Sequence, residues 1–256
     1  MSKYTFNNIE YPSVTTILGL LDKSGALIPW AVKNTIRYIR ENQHKMDSIE
    51  CLQKAATEYR NVSQEALDIG SQVHDLIECY IKHGKDKSYM AKYNDAVQNA
   101  FLAFLDWEEK HNVEWLETEQ SIYSPAYCYA GTLDFISRID GKIYCGDFKT
   151  SKAIYSEYYM QIAAYMKARI HCNGQEVKLH YSFDNNEYNK KITYKPYDIT
   201  HTCIIRLDKL TGDFEFKDTT DKQENQFQAF THLLHFYYTF KKRRLKNNPF
   251  TKEVKK

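Results

Sequence analysis

Asp134, Asp147 and Lys149 stand in the stretch Gly131 to Tyr165, where two acids and an amine fall close together in the chain. Tyr127 to Ile139 is rich in aromatic and β-branched residues, Asp140-Gly141 is a two-residue hairpin signal, and Lys142 to Lys149 supplies a second strand. Side chains alternate along a strand, so Asp147 and Lys149 project to one face while Phe148 turns into packing. The hairpin brings Asp134 to that same side. Two carboxylates and an ammonium in one small volume cost desolvation and repulsion unless a divalent cation lies between the acids. Oxygen ligands of this kind suit Mg2+ or Mn2+. Such an ion polarises a phosphoryl oxygen and helps form hydroxide, while Lys149 orients or deprotonates the water and offsets negative charge. The chemistry implied is phosphodiester hydrolysis.

The elements around the hairpin must deliver the remaining groups. A helix from about Tyr155 to His171 carries Gln161 and Tyr165 at i and i+4, hence on one face. Tyr165 serves either as core or as a contact to the site or to DNA. Upstream, a helix from Ser63 to Lys82 carries His74, with Ser63 as N-cap and Gly84 as the stop. Gly70 lets this helix approach another backbone closely, and Glu78 lies one turn beyond His74. Glu78 either orients the imidazole and holds water near a metal or pairs with Lys82 at i+4. Val113 to Ser124 reads as the first strand of the sheet; Glu119 is a further candidate acid, and Glu117 competes for the role.

Four segments in order, Gly70-Ser71-Gln72-Val73-His74, Gly131-Thr132-Leu133-Asp134, Asp147-Phe148-Lys149-Thr150 and Gln161-Ile162-Ala163-Ala164-Tyr165, resemble the PD-(D/E)XK nuclease superfamily and its RecB-like branch. The opening Tyr11 to Leu18, followed by Trp30, is similar to the start of phage-encoded and mitochondrial genome-maintenance exonucleases of that branch. The resemblance implies an α/β fold: a restriction-endonuclease-like core with a mixed central sheet flanked by helices, and a helical N-terminal half. It implies metal ligation by His74, Asp134, Asp147 and the Phe148 carbonyl, a catalytic Lys149, and support of the site or DNA by Gln161 and Tyr165. The expected activity is a Mg2+-dependent DNA exonuclease acting at single-stranded ends in replication, recombination or repair. A structure-selective endonuclease and an inactive DNA-binding module on the same fold are the alternatives. Helicase, recombinase or single-strand-binding partners follow by family analogy alone.

The rest of the chain sets bounds. With 256 residues, 43% of them hydrophobic, one elaborated domain over 1–248 is expected. Residues 1–112 would form a mainly helical wall or arch, 113–248 the sheet core with a C-terminal helix, and 249–256 a flexible tail. A net charge of +2 neither requires nor excludes a polyanionic partner. The six cysteines show no Cys-X-X-Cys pair, which argues for reduced thiols, and none after Cys203 could supply the C-terminal iron-sulfur cluster of some RecB-like relatives. No basic-then-apolar leader and no apolar run near the roughly 20 residues of a membrane span is seen, so a soluble, cytoplasmic protein is expected, consistent with a phage-encoded one.

Further helices are expected from Pro12-Ser13 to Leu21, from Pro29 at the opening of a helix towards Gln43, from Asp47 to Tyr59, and from Tyr89 to Lys110. Beyond Asn173-Gly174, Glu176 to Asp184 alternates like a strand, and the polar stretch to Thr200 is a loop or an extra hairpin. Thr202 to Leu207 and Asp213 to Phe216 flank a Thr211-Gly212 turn. A last helix, Asp221 to Lys246, ends in Lys241, Arg243 and Arg244, which either hold phosphates or form a solvated helix end. Trp30 and several tyrosines would stack the bases of a single strand.

Overall fold

The computed structural model describes residues 3–183 and 186–241. Two strands open the chain, β1 (Lys3–Phe6) and β2 (Ile9–Tyr11). Helices α1 (Val14–Leu18), α2 (Ser24–Asn42), α3 (Ser48–Lys82) and α4 (Asp95–Lys110) follow, with a short 3-10 helix Lys87–Lys92 before α4. Strands β3 (Val113–Ser124), β4 (Tyr129–Ile139) and β5 (Lys142–Lys149) lead into α5 (Ser156–Cys172). The chain continues through β6 (Glu176–Phe183), β7 (Asn186–Thr193), β8 (His201–Leu207) and β9 (Phe214–Asp218) to α6 (Gln223–Phe236), which runs into a π-helical turn Tyr237–Lys241.

The fold is mixed α/β. A five-stranded sheet has the order β3-β4-β5-β8-β9, antiparallel throughout except that β5 and β8 run parallel. Neighbouring residues of its strands feed opposite faces: Ile136, Cys145 and Ile204 face α1, α5 and α6, whereas Phe135, Tyr144 and Ile205 face α3 and α4. A strand buried on both faces reads as a near-continuous apolar run, and this is the pattern of β8, His201–Leu207. A second sheet has the order β2-β1-β6-β7 and shares no strand ladder with the first, although Tyr4 of β1 and Thr132 of β4 are hydrogen-bonded through their hydroxyls at 2.9 Å.

Several helix boundaries differ from those expected. The segments Asp47–Tyr59 and Ser63–Lys82 form one helix, α3, capped at Asp47, whose carboxylate accepts from the Ile49 and Glu50 amides, so Ser63 is an interior residue. No Gly or Pro interrupts Arg60 to Ser63, and the turns on either side are held by buried Cys51, Ala55, Ile69 and Val73. Pro29 lies inside α2 rather than at its start, and gives up the bond its N–H would make one turn back. The expected helix from Tyr89 divides at Tyr93, because Asn94 caps α4 by accepting from the Val97 amide. The stop at Gly84 holds: it adopts φ +74, and the Lys85 amide reaches back to the Tyr80 carbonyl.

The N-terminal part is not wholly helical, since β1 and β2 form a hairpin across Asn7-Asn8, both at positive φ. The polar stretch after Asn185 is a hairpin strand, β7 pairing with β6. Residues 242–256, including Arg243, Arg244 and the expected tail, lie outside the described residues, as does the Lys241 side chain. No described helix is long and apolar enough to cross a membrane.

Candidate active site

The β4–β5 hairpin turns at Asp140 (φ 48) and Gly141 (φ 86), as its sequence requires. Its ladder runs from Ile139–Lys142 to Phe135–Gly146 and stops. Beyond that pair the Asp134 carboxylate, not the main chain of β4, takes the Phe148 N–H, at 2.6 Å. The two strands therefore fork, and the acids stand at the fork.

Asp147 and Lys149 share a face and form an ion pair, while the Phe148 ring packs against Phe135 and Phe104 on the other side. Asp147 is only 1% exposed. Gln161 of α5 donates from Nε2 to Asp147 Oδ1 at 3.4 Å and to Tyr165 Oη at 3.1 Å, which ties the expected i, i+4 pair to the acid. Tyr165 is buried and belongs to the core as well as to this chain of contacts. Its ring lies over Gly131, where a Cβ would stand 2.6 Å from Tyr165 Cε1, so close approach explains that glycine. The Gly146 Cα sits under the Phe135 ring in the same way, with a Cβ only 1.9 Å from Cζ.

From the opposite face α3 presents His74. Its Nδ1 lies 3.5 Å from Asp134 Oδ2 and 3.6 Å from Glu119 Oε1. His74, Glu119 and Asp134 each offer a ligand atom within 4.8 Å of the others. Glu119 reaches this place because its own φ is +47, a left-handed conformation within a strand that re-aims the side chain. Glu117 goes elsewhere: it pairs with Arg169 through two hydrogen bonds of 2.9 and 2.8 Å. The competition between the two glutamates is thus resolved by geometry. Glu78 lines the same cleft and is also paired with Lys82.

Burial sets the electrostatics. It pushes the Asp147 carboxyl up to about 7 in spite of Lys149, and raises Asp134 against the pull of His74 and Lys149. For His74, burial opposes the charge, but Asp134 and Glu119 outweigh it and raise the imidazole to about 9. Burial likewise works against the Lys149 ammonium, and Asp147 and Asp134 overcome it. Asp147 Oδ2 is buried and has the Lys149 ammonium as its ion-pair partner. One ring nitrogen and two carboxylates within 4.8 Å, from His74, Glu119 and Asp134, are donors that fit a hard divalent cation, whereas Asp147 is paired with Lys149 and is not in that group.

A cleft of about 640 Å³ is lined by Gly70, His74, Glu119, Lys149, Tyr158 and Lys209 among others, with Asp134 in a small hollow that shares His74 and Glu119. Tyr158 was not singled out by the motifs. Its ring lies 4.9 Å from Lys149 Nζ, and it precedes Gln161 and Tyr165 on one helix face, at i, i+3 and i+7. Gly70 faces a side chain rather than a backbone, since its Cβ would stand 3.3 Å from Thr150 Oγ1. Trp30 does not line this cleft. It stands in a neighbouring hollow between α2 and α3 with Ile28, Tyr59 and Arg60, and Ser63 borders both.

No protein-family model matches the chain, and a search of curated proteins gives no match.

Proposed function

We propose that the protein is a metal-dependent deoxyribonuclease with a PD-(D/E)XK core of the RecB-like branch, hydrolysing phosphodiester bonds at single-stranded DNA ends. The observation that carries this reading is the convergence of His74, Glu119 and Asp134 within 4.8 Å beside the buried Asp147–Lys149 pair. The four resembling segments support it, because they fall on α3, β4, β5 and α5 around one fork in one sheet.

His74, Asp134, Glu119 and Asp147, with the Phe148 carbonyl, would hold Mg2+ or Mn2+. When bound, the cation supplies Lewis acidity toward the phosphoryl group. The protein's own groups do the rest. Asp147 and Asp134 favour the Lys149 ammonium against burial, which suits it to orient water and offset charge on the phosphoryl oxygens. Tyr158 steadies it by a cation–π contact, and Gln161 fixes the Asp147 carboxylate to α5. Preference for a single strand rests on the hollow around Trp30, where the Trp30 and Tyr59 rings suit unpaired bases without reading sequence.

End-labelled single-stranded DNA incubated with Mg2+ should be shortened by the protein, while closed single-stranded circles should survive. Asp147→Ala and Lys149→Ala should each lower cleavage by about 100-fold or more, with DNA binding retained. Cleavage that persists in both variants would remove this pair from the mechanism, and rapid cutting of circles would replace the end-directed reading by an endonuclease.

A further inference from the structure

We infer that the Lys209 end of the cleft is a second phosphate subsite, receiving the backbone phosphate of a nucleotide next to the one being cut. The inference rests on the nuclease reading of the site and extends it to residues outside the four segments.

His74, Glu78 and Glu119 share a small hollow at the edge of the cleft, and Lys149, Thr150, Ser151 and Lys209 also line the cleft; Lys209 feels Glu65, which precedes Gly70 and His74 along α3. Lys209 is half-buried, yet among the described residues it makes no ion pair, whereas Lys23, Lys85 and Lys149 each have a carboxylate partner. Burial works against the Lys209 charge, Glu65 then favours it, Lys152 opposes it and Asp208 favours it, and Asp75 also borders the cleft. An ammonium drawn partly out of water without a direct ion-pair partner is a cost that an anionic ligand would relieve.

The backbone that carries Lys209 is pinned on several sides. Asp208 Oδ1 accepts from the Leu210 and Thr211 amides at 2.8 and 3.2 Å, and Arg206 grips the other oxygen of Asp208 at 3.0 Å. The Gly212 amide returns to the Asp208 carbonyl at 2.9 Å, and Asn99 of α4 donates to the Lys209 carbonyl at 3.4 Å. A long cation on a fixed turn loses less freedom on binding than one on a loose loop.

Thr150 supplies the second group. Among the described residues its hydroxyl has no hydrogen-bond partner, and it faces α3 at Gly70, where any side chain would press on it. Gly70 has an ordinary helical backbone, so space rather than conformation calls for glycine. An ammonium and a free hydroxyl suit a phosphodiester oxygen, and a strand bearing one negative charge per nucleotide places such an oxygen beside the scissile one.

The test is fluorescence anisotropy with a labelled dT12 oligonucleotide in EDTA, at several NaCl concentrations, for the full chain and its variants. Lys209→Ala should weaken binding about fivefold and lower the slope of log affinity against log salt by about 0.7, the share of one phosphate contact on a single strand. Lys209→Arg should restore most of both, and Lys142→Ala, at the distant β4–β5 turn, should change neither. Thermal melting checks that each variant is folded. An unchanged affinity and slope in Lys209→Ala, an equal loss in Lys142→Ala, or no binding by the parent protein would overturn the subsite. Because the assay needs no cleavage, failure of the nuclease reading shows separately, as parent protein that binds the oligonucleotide but leaves it intact in Mg2+.

Discussion

Glu117 and Glu119 are two residues apart on one strand, and only backbone detail separates their fates. The ladder between β3 and β4 shifts register between Trp115 and Glu117, and Glu119 then takes φ +47, so simple alternation fails at this point. Sequence reasoning could name both glutamates but could not choose, whereas Asp147 and Lys149 were legible because β5 keeps its alternation to the end. Asp134 was legible in type and place but not in manner, because its position depends on a fork that no motif announces. The two glutamates give a sharp pair of expectations. Glu119→Gln should reduce metal-dependent cleavage by about 10- to 100-fold and leave the melting temperature of the metal-free protein close to that of the parent. Glu117→Gln should do the reverse, because it leaves the Arg169 guanidinium, 0% exposed, without its carboxylate. Breaking a buried pair from one side costs about 3–5 kcal/mol, measurable by urea unfolding. Equal effects of the two changes on cleavage would contradict the assignment of Glu119 to the site.

At the scale of elements, the pattern of apolar residues located α4, α5 and α6 and the strands β3 to β6, β8 and β9, while β7 was left open between a loop and a hairpin. It failed where local signals were weak against tertiary packing. The β1–β2 hairpin is short, and its turn is Asn-Asn rather than a glycine turn, although Tyr4, Phe6, Ile9 and Tyr11 do alternate around it. The sequence divides α3 at Ser63, a residue that favours caps, a preference overridden by the buried residues on either side. Gly146 shows how tightly the element bearing Asp147 is packed. Gly146→Ala drives a methyl into the Phe135 ring, and overpacking of this kind costs about 1–3 kcal/mol or more. We expect lower stability by chemical denaturation, and a loss of cleavage from displacement of Asp147; an unaltered unfolding midpoint would show that Phe135 moves freely. The β8–β9 turn carries a pH signature. The Leu210 amide, then Thr211 and Arg206, hold the Asp208 carboxyl below its ordinary 3.8 against the opposing effect of burial. A carboxyl depressed in the fold contributes stability above its unfolded value, and that contribution is lost as pH falls through the folded one. Asp208→Asn keeps the oxygen acceptor and removes the charge, so its unfolding midpoint should fall less steeply than the parent's between about pH 5 and pH 3.

For the molecule as a whole, the site lies where the two apolar layers meet, one built with α1, α5 and α6 and the other with α3 and α4. His74 comes from one layer and Gln161 from the other, and the sheet between them contributes Asp134, Asp147, Lys149 and Glu119. The overall charge of +2 conceals this concentration of acids, which is why composition was silent about it. A cation that ligates groups from both sides of the sheet would bind only the assembled fold, and binding to the folded state alone stabilises it by RT ln(1 + [L]/Kd). At a hundred times the dissociation constant that is about 2.7 kcal/mol, and at about 2–4 °C per kcal/mol for a chain near this size the melting temperature should rise by about 5–10 °C. Scanning calorimetry in EDTA and then in excess Mg2+ or Mn2+ measures it, with no substrate present. Asp134→Ala should abolish the rise. Glu176→Ala, which removes an exposed acid paired with Lys191 on the second sheet, should preserve it. The metal reading predicts that chelator reverses the shift completely. A rise of the same size in Asp134→Ala would mean that the ion binds elsewhere, and no rise with either metal would leave His74, Glu119 and Asp134 as a self-contained charge network.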